Sequence, residues 1–266
     1  MASIVFRIAR VFPSPGRSHW HSHARELALY LGLYFLYLLL RGLVFDGSET
    51  ALSNAGTIIA LESSLGIFVE PDLQELALAH AQPLVVILNW TYIVTYWPVI
   101  LGVALALYLT RRTTYLRYRN LIVLQLVLSL VVFTLFPLAP PFKTVYMLDT
   151  IQLLGPALYG SDAMSVLYNT NAAMPSLHFS WTCILAWLFV KELRGWYRYL
   201  GIAYPGLTLV AIVVTGNHFL LDAVVGLALV AAAYWTLLAV RHPWCRRLIS
   251  NLLAQVRPRE KTGTES

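Results

Sequence analysis

Six apolar runs, each about the ~20 residues that a helix needs to cross a hydrocarbon core, constrain this chain more than any other feature. They lie at 27–45, 84–109, 119–136, 175–191, 197–215 and 218–240. With 58% hydrophobic and only 12% charged residues, a soluble domain is excluded. The runs predict an all-α polytopic membrane protein, a six-transmembrane-helix bundle that no linker or internal repeat divides. The expected organisation is an N-terminal segment over 1–26, one membrane domain over 27–240 and a basic tail over 241–266. The opening "MASIVFRIARVFPSPGR" alternates apolar residues with arginines and lacks a small-residue cleavage site. It reads as a cytoplasmic or interfacial lead-in and not as a signal peptide.

Charge orients the bundle. All but two of the 19 Lys and Arg fall on one side of this topology: in 1–26, in "TRRTTYLRYRN", in "KELRGWYR" and in the tail. The positive-inside rule then puts both termini in the cytoplasm. The opposite side is acidic: segment 46–83 carries Asp46, Glu49, Glu62, Glu70, Asp72 and Glu75 and no Lys or Arg. The net charge of +6 is thus a topology signal, and no nucleic-acid partner is expected. Within the outer segment, "TIIALESSLGIF" and "DLQELALAHA" carry apolar residues at helical spacing. They predict short amphipathic helices lying along the outer interface. The second outer loop, 137–174, opens with "PLAPPFK" and is too rich in Pro, Gly and Asn to span. Cys183 and Cys245 sit within a span and after the last one, and read as spectators.

Two histidines stand where lipid-facing sequence has no use for them. "NAAMPSLHFSW" ends one outer loop at His178, and "TGNHFLLDAVVG" opens the last span at His218 and adds Asp222. An ionisable group at membrane depth costs about 2.5–3.5 kcal/mol even on lenient scales, so its retention points to function. The i, i+4 spacing puts Asp222 on the same face as His218. A carboxylate on one ring nitrogen fixes the tautomer and frees the other nitrogen for attack. His178 falls in the first turn of its span, behind Pro175, where free N–H groups favour an anion, with the Ser176 hydroxyl beside them. Either histidine alone is as well explained by packing; two at matched depth, one with its Asp, are not.

These motifs resemble a known family. "PSLH" followed by "GNHFLLD" is similar to the second and third signatures of the type-2 phosphatidic acid phosphatase superfamily. "FPLAPPF", Phe136 to Phe142, resembles the proline-rich segment of its inositol phosphorylceramide synthase (inositolphosphotransferase) branch. "RGLVFDG" and "NAGTIIALESSLGIFVEPDLQ" extend the likeness into the first half. The resemblance implies a metal-independent membrane enzyme with His218 as nucleophile, Asp222 orienting it and His178 protonating the leaving alkoxide. A phosphohistidine forms and is resolved by water or an alcohol acceptor.

The departures are informative. Phosphatases of the superfamily carry an arginine six residues before the nucleophilic histidine, where this chain has Ile212. Their Lys and Arg-Pro motif is missing too; Pro140, Pro141 and Lys143 are the nearest equivalents. A phosphoryl group needs positive charge on its equatorial oxygens. Arg41, which breaks "YLLLRGLVF", is the first candidate and Lys143 the second. Asn217, in the turn before His218, joins the candidate binding residues. Asn89, Tyr92 and Tyr96, spaced three and four apart, offer a polar wall for a sugar or inositol headgroup.

The sequence thus predicts a plasma-membrane phosphotransferase with an extracytoplasmic site and no cofactor or metal. It would move a phospho-headgroup between a phospholipid or lipid-linked phosphate donor and an alcohol acceptor. The alternatives are a lipid phosphate or polyprenyl-phosphate phosphatase, and a non-enzymatic lipid transporter whose histidines relay protons.

Overall fold

Almost every apolar run becomes helix in the computed structural model, which describes residues 17–44, 48–155 and 171–243. The helices are α1 (Arg17–Val44), α2 (Ser48–Ser64), α3 (Glu70–His80), α4 (Gln82–Trp90), α5 (Tyr96–Thr110) and α6 (Arg112–Leu135). They continue with α7 (Thr150–Leu154), α8 (Leu177–Glu192), α9 (Tyr197–Val214) and α10 (Leu220–Arg241). A π-turn, Thr91–Thr95, joins α4 to α5 into one rod. Among the described residues there is no strand; one parallel bridge joins Leu138 to Ala172. The protein is all-helical.

Four rods are long and apolar enough to cross a membrane: Gln82–Thr110, Arg112–Leu135, Tyr197–Val214 and Leu220–Arg241. The expectation of six spans is met only in part. With 16 residues, α8 rises only about 24 Å. Helix α1 starts ten residues before the expected span, and its first turns are the polar "RSHWHSHARE". Of the N-terminal segment 1–26 and the tail 241–266, residues 1–16 and 244–266 lie outside the described residues. The side chain of Arg41 lies outside them as well.

Exposure marks the lipid-facing surface. Along the α4–α5 rod, Leu84, Ile87, Trp90, Val94, Trp97, Leu101 and Leu105 are all exposed, a stripe repeating every three or four residues. On a soluble protein such a stripe would be a docking or aggregation surface; on a rod long and apolar enough to cross a membrane it fits acyl chains.

Helices α2 and α3 correct the amphipathic expectation. Their leucines point out: Leu52, Leu61, Leu65, Leu73 and Leu76 are exposed, whereas Glu62, Glu70 and Gln74 are buried. The helical spacing is as expected, but these leucines face the surroundings, while Glu62, Glu70 and Gln74 face the protein beside Ala51, Ala55 and Ile58; Glu49, Asp72 and Glu75 stay exposed. Against lipid this inverted pattern is favourable, provided that the buried carboxylates find donors.

The core lies between α5, α6, α8 and α10, where Tyr96, Leu121, Trp181, Ile184 and Ala233 pack together. A polar thread runs through it. Trp181 Nε1 donates to Gln125 Oε1 at 2.6 Å, and Gln125 Nε2 donates to Ser129 and Ser180 hydroxyls at 3.0 and 3.2 Å. Gly226 brings α10 onto α8: a Cβ there would lie 2.8 Å from the Ser176 carbonyl oxygen. That closeness holds the start of α8 against the start of α10.

At the other end, Arg112 and Arg119 both reach Glu26, and Tyr115 Oη donates to it at 3.0 Å. The Arg112 guanidinium also sits 4.2 Å from the Tyr108 ring centroid. This basic end and the histidine end are built on opposite electrostatic plans.

Candidate active site

His218 follows a tight turn that the sequence makes possible. Gly216 takes a left-handed φ of 73°, which glycine adopts without the Cβ penalty. The turn returns the chain on α9, so that Asn217 and His218 both donate their N–H groups to the Ile212 carbonyl, at 3.0 and 3.1 Å. Asn217 Nδ2 braces the turn by donating to Thr215 Oγ1 at 2.7 Å. His218 Nδ1 lies 2.8 Å from the Ala173 carbonyl oxygen and 3.2 Å from Asp222 Oδ2. Two acceptors on Nδ1 require the proton there, which leaves the Nε2 lone pair unprotonated in the neutral ring. The expected i, i+4 pairing is present.

His178 comes from α8, and its ring lies between two tyrosines. The centroid distances are 4.2 Å to Tyr92 and 4.0 Å to Tyr96. Tyr92 also meets His218 edge-on at 6.5 Å, and the two imidazole centroids are 6.1 Å apart. Both histidines therefore border one space, at matched depth.

That space is a cavity of about 830 Å³, bordered at this end by Pro140, Phe142, Asn217 and the two histidines. It continues between α1, α5, α6 and α8 as far as Tyr115 and Arg119. From Phe133 to Arg119 the α6 wall rises about 21 Å, more than half of a ~30 Å hydrocarbon core. Most of the lining is apolar, including Leu33, Ile100, Val103 and Leu185.

Several candidate residues stand elsewhere. Ser176 is fully buried, and its hydroxyl caps α8 by accepting from Phe179 N at 3.3 Å. Asn89 is separated from the tyrosines by the π-turn. It is fully buried and donates to the Thr150 carbonyl at 2.7 Å, while Thr150 Oγ1 donates back at 2.9 Å. Pro141 is buried beside the cavity-lining Pro140. Lys143 Nζ donates to Asn171 Oδ1 at 2.9 Å, and burial holds its ammonium below the ordinary lysine range. Ile212, at the position of the phosphatase arginine, is fully buried among Val213, Ala223 and Phe179. Among the described residues, Arg119 is the only cation bordering the cavity, and it lies at the far end.

Sequence reasoning missed the parts that hold the loops. Gln74 donates to the Leu148 and Val214 carbonyls at 3.0 and 3.1 Å and accepts from Leu148 N at 2.7 Å. Phe142 N donates to the Gly216 carbonyl at 2.9 Å, and Ala139 N to that of Ala51 at 3.1 Å. Glu62 and Glu70 end on the first turn of α10, accepting from Leu221 N and Leu220 N, each at 2.8 Å. A carboxylate inside an otherwise leucine-rich helix was the available signal. Among the described residues, no group of three His, Cys, Asp or Glu is arranged to hold a metal ion.

A family model described as PAP2 superfamily matches residues 56–236, which contain both histidines, Asp222, the second half of α2 and all of α3. The chain belongs to the PAP2 superfamily. No curated protein and no solved structure matches it. Membership of the PAP2 superfamily brings phosphatase or phosphotransferase chemistry on lipid phosphates, and the apolar helices fit a membrane setting.

Proposed function

We propose that the protein is a membrane phosphotransferase of the inositol phosphorylceramide synthase-like branch, working through a phosphohistidine on His218. The observation that carries this reading is two histidines facing each other across one apolar cavity, 6.1 Å between centroids, with one fixed by Asp222. In the first step Nε2 of His218 attacks phosphorus while the bond to the donor alkoxide breaks. His178 gives that oxygen its proton. In the second step His178 takes the proton of an acceptor hydroxyl, its oxygen attacks phosphorus, and the P–N bond breaks. Asp222 stabilises the imidazolium charge in both steps. Neither step requires a metal.

The long apolar lining supports a donor whose hydrocarbon tail enters the bundle while its phosphate stops at the histidines. Tyr92 and Tyr96 hold the His178 ring, Pro140 and Asn217 border the phosphate, and the cation is Arg41, with Lys143 second. Helices α1 and α8 are the fifth and sixth crossings, completing a catalytic domain over 27–240. The basic end faces the cytoplasm with both termini, and the histidine end opens outside the plasma membrane.

Ile212 favours transfer over hydrolysis, because the phosphatase arginine is replaced by an apolar side chain. The test is purified protein with a panel of phospholipids and lipid-linked phosphates, with and without polyol acceptors, and mass spectrometry of the products. Acceptor-dependent phosphodiester formation, unaffected by chelators, is expected. Free phosphate regardless of acceptor means a phosphatase. Lipid translocation with no covalent phosphate means a transporter.

A further inference from the structure

The reaction above makes no use of Glu62 and Glu70, yet both end on the helix that carries its nucleophile. Three successive N–H groups at the start of α10 each donate to a different carboxylate. Phe219 N donates to Asp222 at 2.9 Å, Leu220 N to Glu70 at 2.8 Å and Leu221 N to Glu62 at 2.8 Å. A helix start needs its free N–H groups satisfied, and one short polar side chain is the usual means. Here two further anions arrive from α2 and α3, fully buried. Each of the three leaves its second oxygen buried with no hydrogen-bond partner: Glu62 Oε2, Glu70 Oε2 and Asp222 Oδ1. Like charges packed so closely do not all ionise; a proton on one carboxyl relieves the repulsion and supplies a missing donor.

We propose that Glu62 and Glu70 are positioning residues, a proton-sharing carboxyl pair that holds the first turn of α10 and disables the site when its proton is lost. The proposal rests on His218 being the nucleophile. The groups facing Glu62 are Glu70 from α3 and Asp222 from α10, with His218 bonded to Asp222. Burial pushes the Glu62 carboxyl up to about 8; the Leu221 N–H opposes this, and the neighbouring Glu70 and Asp222 carboxyls add to it. Above that pH an additional anion stands behind Asp222. It repels Asp222, loosens the turn, and repels the phosphoryl oxygens of an incoming substrate. Lys143 also loses its charge on the alkaline side, so the two origins must be separated.

The experiment is kcat/KM against pH for the full-length protein on a nitrophenyl phosphodiester, with Glu62→Gln, Glu62→Ala, Glu70→Gln and Lys143→Ala. Single-turnover mass spectrometry of the His218 peptide accompanies it. Wild type should fall about tenfold between its plateau and pH ~9, as one deprotonation near pH 8 requires. Glu62→Gln keeps an acceptor for Leu221 N. It should lower the plateau about threefold and move the alkaline limb up by at least ~1 pH unit. Glu62→Ala should lose about thirtyfold, most of which the Gln variant restores. Lys143→Ala should leave the limb in place. If the Glu62→Gln and Glu70→Gln limbs coincide with that of wild type while phosphate still forms on His218, the carboxyl pair is structural only and the proposal falls. If wild type never carries phosphate on His218, the nucleophile assignment falls first. Should Glu62→Ala fail to fold, the Gln variants decide alone.

Discussion

The two ends of the bundle solve the same problem, a carboxylate taken out of water, in opposite ways. At the basic end Glu26 meets two guanidiniums and a phenol. At the histidine end Glu62, Glu70 and Asp222 meet backbone N–H groups and an imidazole, and each keeps one buried oxygen without a donor. At the basic end opposite charges draw together into a joint, although Arg112 Nη1 also stays buried without a hydrogen-bond partner. At the histidine end no guanidinium among the described residues answers the carboxyls, and Asp222 lies against the His218 ring, where a carboxylate can stabilise positive charge. On the proposed reading, one end holds the bundle together and the other does the chemistry.

Substitutions can break this contrast, and the largest effect is expected at His218. His218→Ala should lower turnover by at least ~10³-fold with the fold retained, and Asp222→Asn by a smaller but still large factor. Product formation near the wild-type rate by His218→Ala would remove the nucleophile from the histidine end.

His178→Ala should come next and should depend on the leaving group. On an alkyl-alcohol donor the loss should reach about 10²–10⁴-fold, and on a nitrophenyl phosphodiester far less, because that leaving group needs no proton. Phosphate should then accumulate on His218 in single-turnover mass spectrometry. Equal losses on both substrates would make His178 a binding group.

A structural test of the same end is Gly226→Ala. Its Cβ would meet the Ser176 carbonyl oxygen at 2.8 Å, so α8 and α10 must part by a few tenths of an ångström. Turnover should fall about tenfold, since small displacements of catalytic groups are costly. Thermal unfolding should report a loss of about 1–3 kcal/mol.

The smallest effect on chemistry is expected at the opposite end. Glu26→Gln removes the anion shared by Arg112 and Arg119 and should cost about 3–5 kcal/mol of stability at most, the range for breaking a buried pair. Turnover measured well below the melting temperature should stay as in wild type. A catalytic defect there would couple the two ends and undo the contrast.

Much of the histidine end was legible because ionisable groups are conspicuous among apolar residues. His178, His218 and Asp222 stand out by cost alone, and the i, i+4 spacing supplied their geometry. The roles of Glu62 and Glu70 were hidden by a rule that lipid reverses. Leucines at helical spacing mark the inward face in water, but on α2 and α3 several point outward while Glu62 and Glu70 point inward. Asn89 was grouped with Tyr92 and Tyr96 by α-helical arithmetic, which the π-turn at Thr91–Thr95 breaks. The Gln74 and Thr150 bonds join segments 61 or more residues apart, and no local pattern announces such pairs. At the basic end, arginines read as orientation signals also turned out to build a joint, through a glutamate that spacing alone could not assign.

The outward leucines of α2 and α3 carry a kinetic consequence. On the proposed reading, they set hydrocarbon instead of bulk water around the reactive end, so a lipid donor reaches it by two-dimensional diffusion. Its saturation then follows the mole fraction of substrate among surrounding amphiphiles, not moles per litre. Adding inert detergent at fixed substrate dilutes the surface and slows the reaction, whereas expanding the aqueous volume at fixed composition leaves the rate per molecule unchanged.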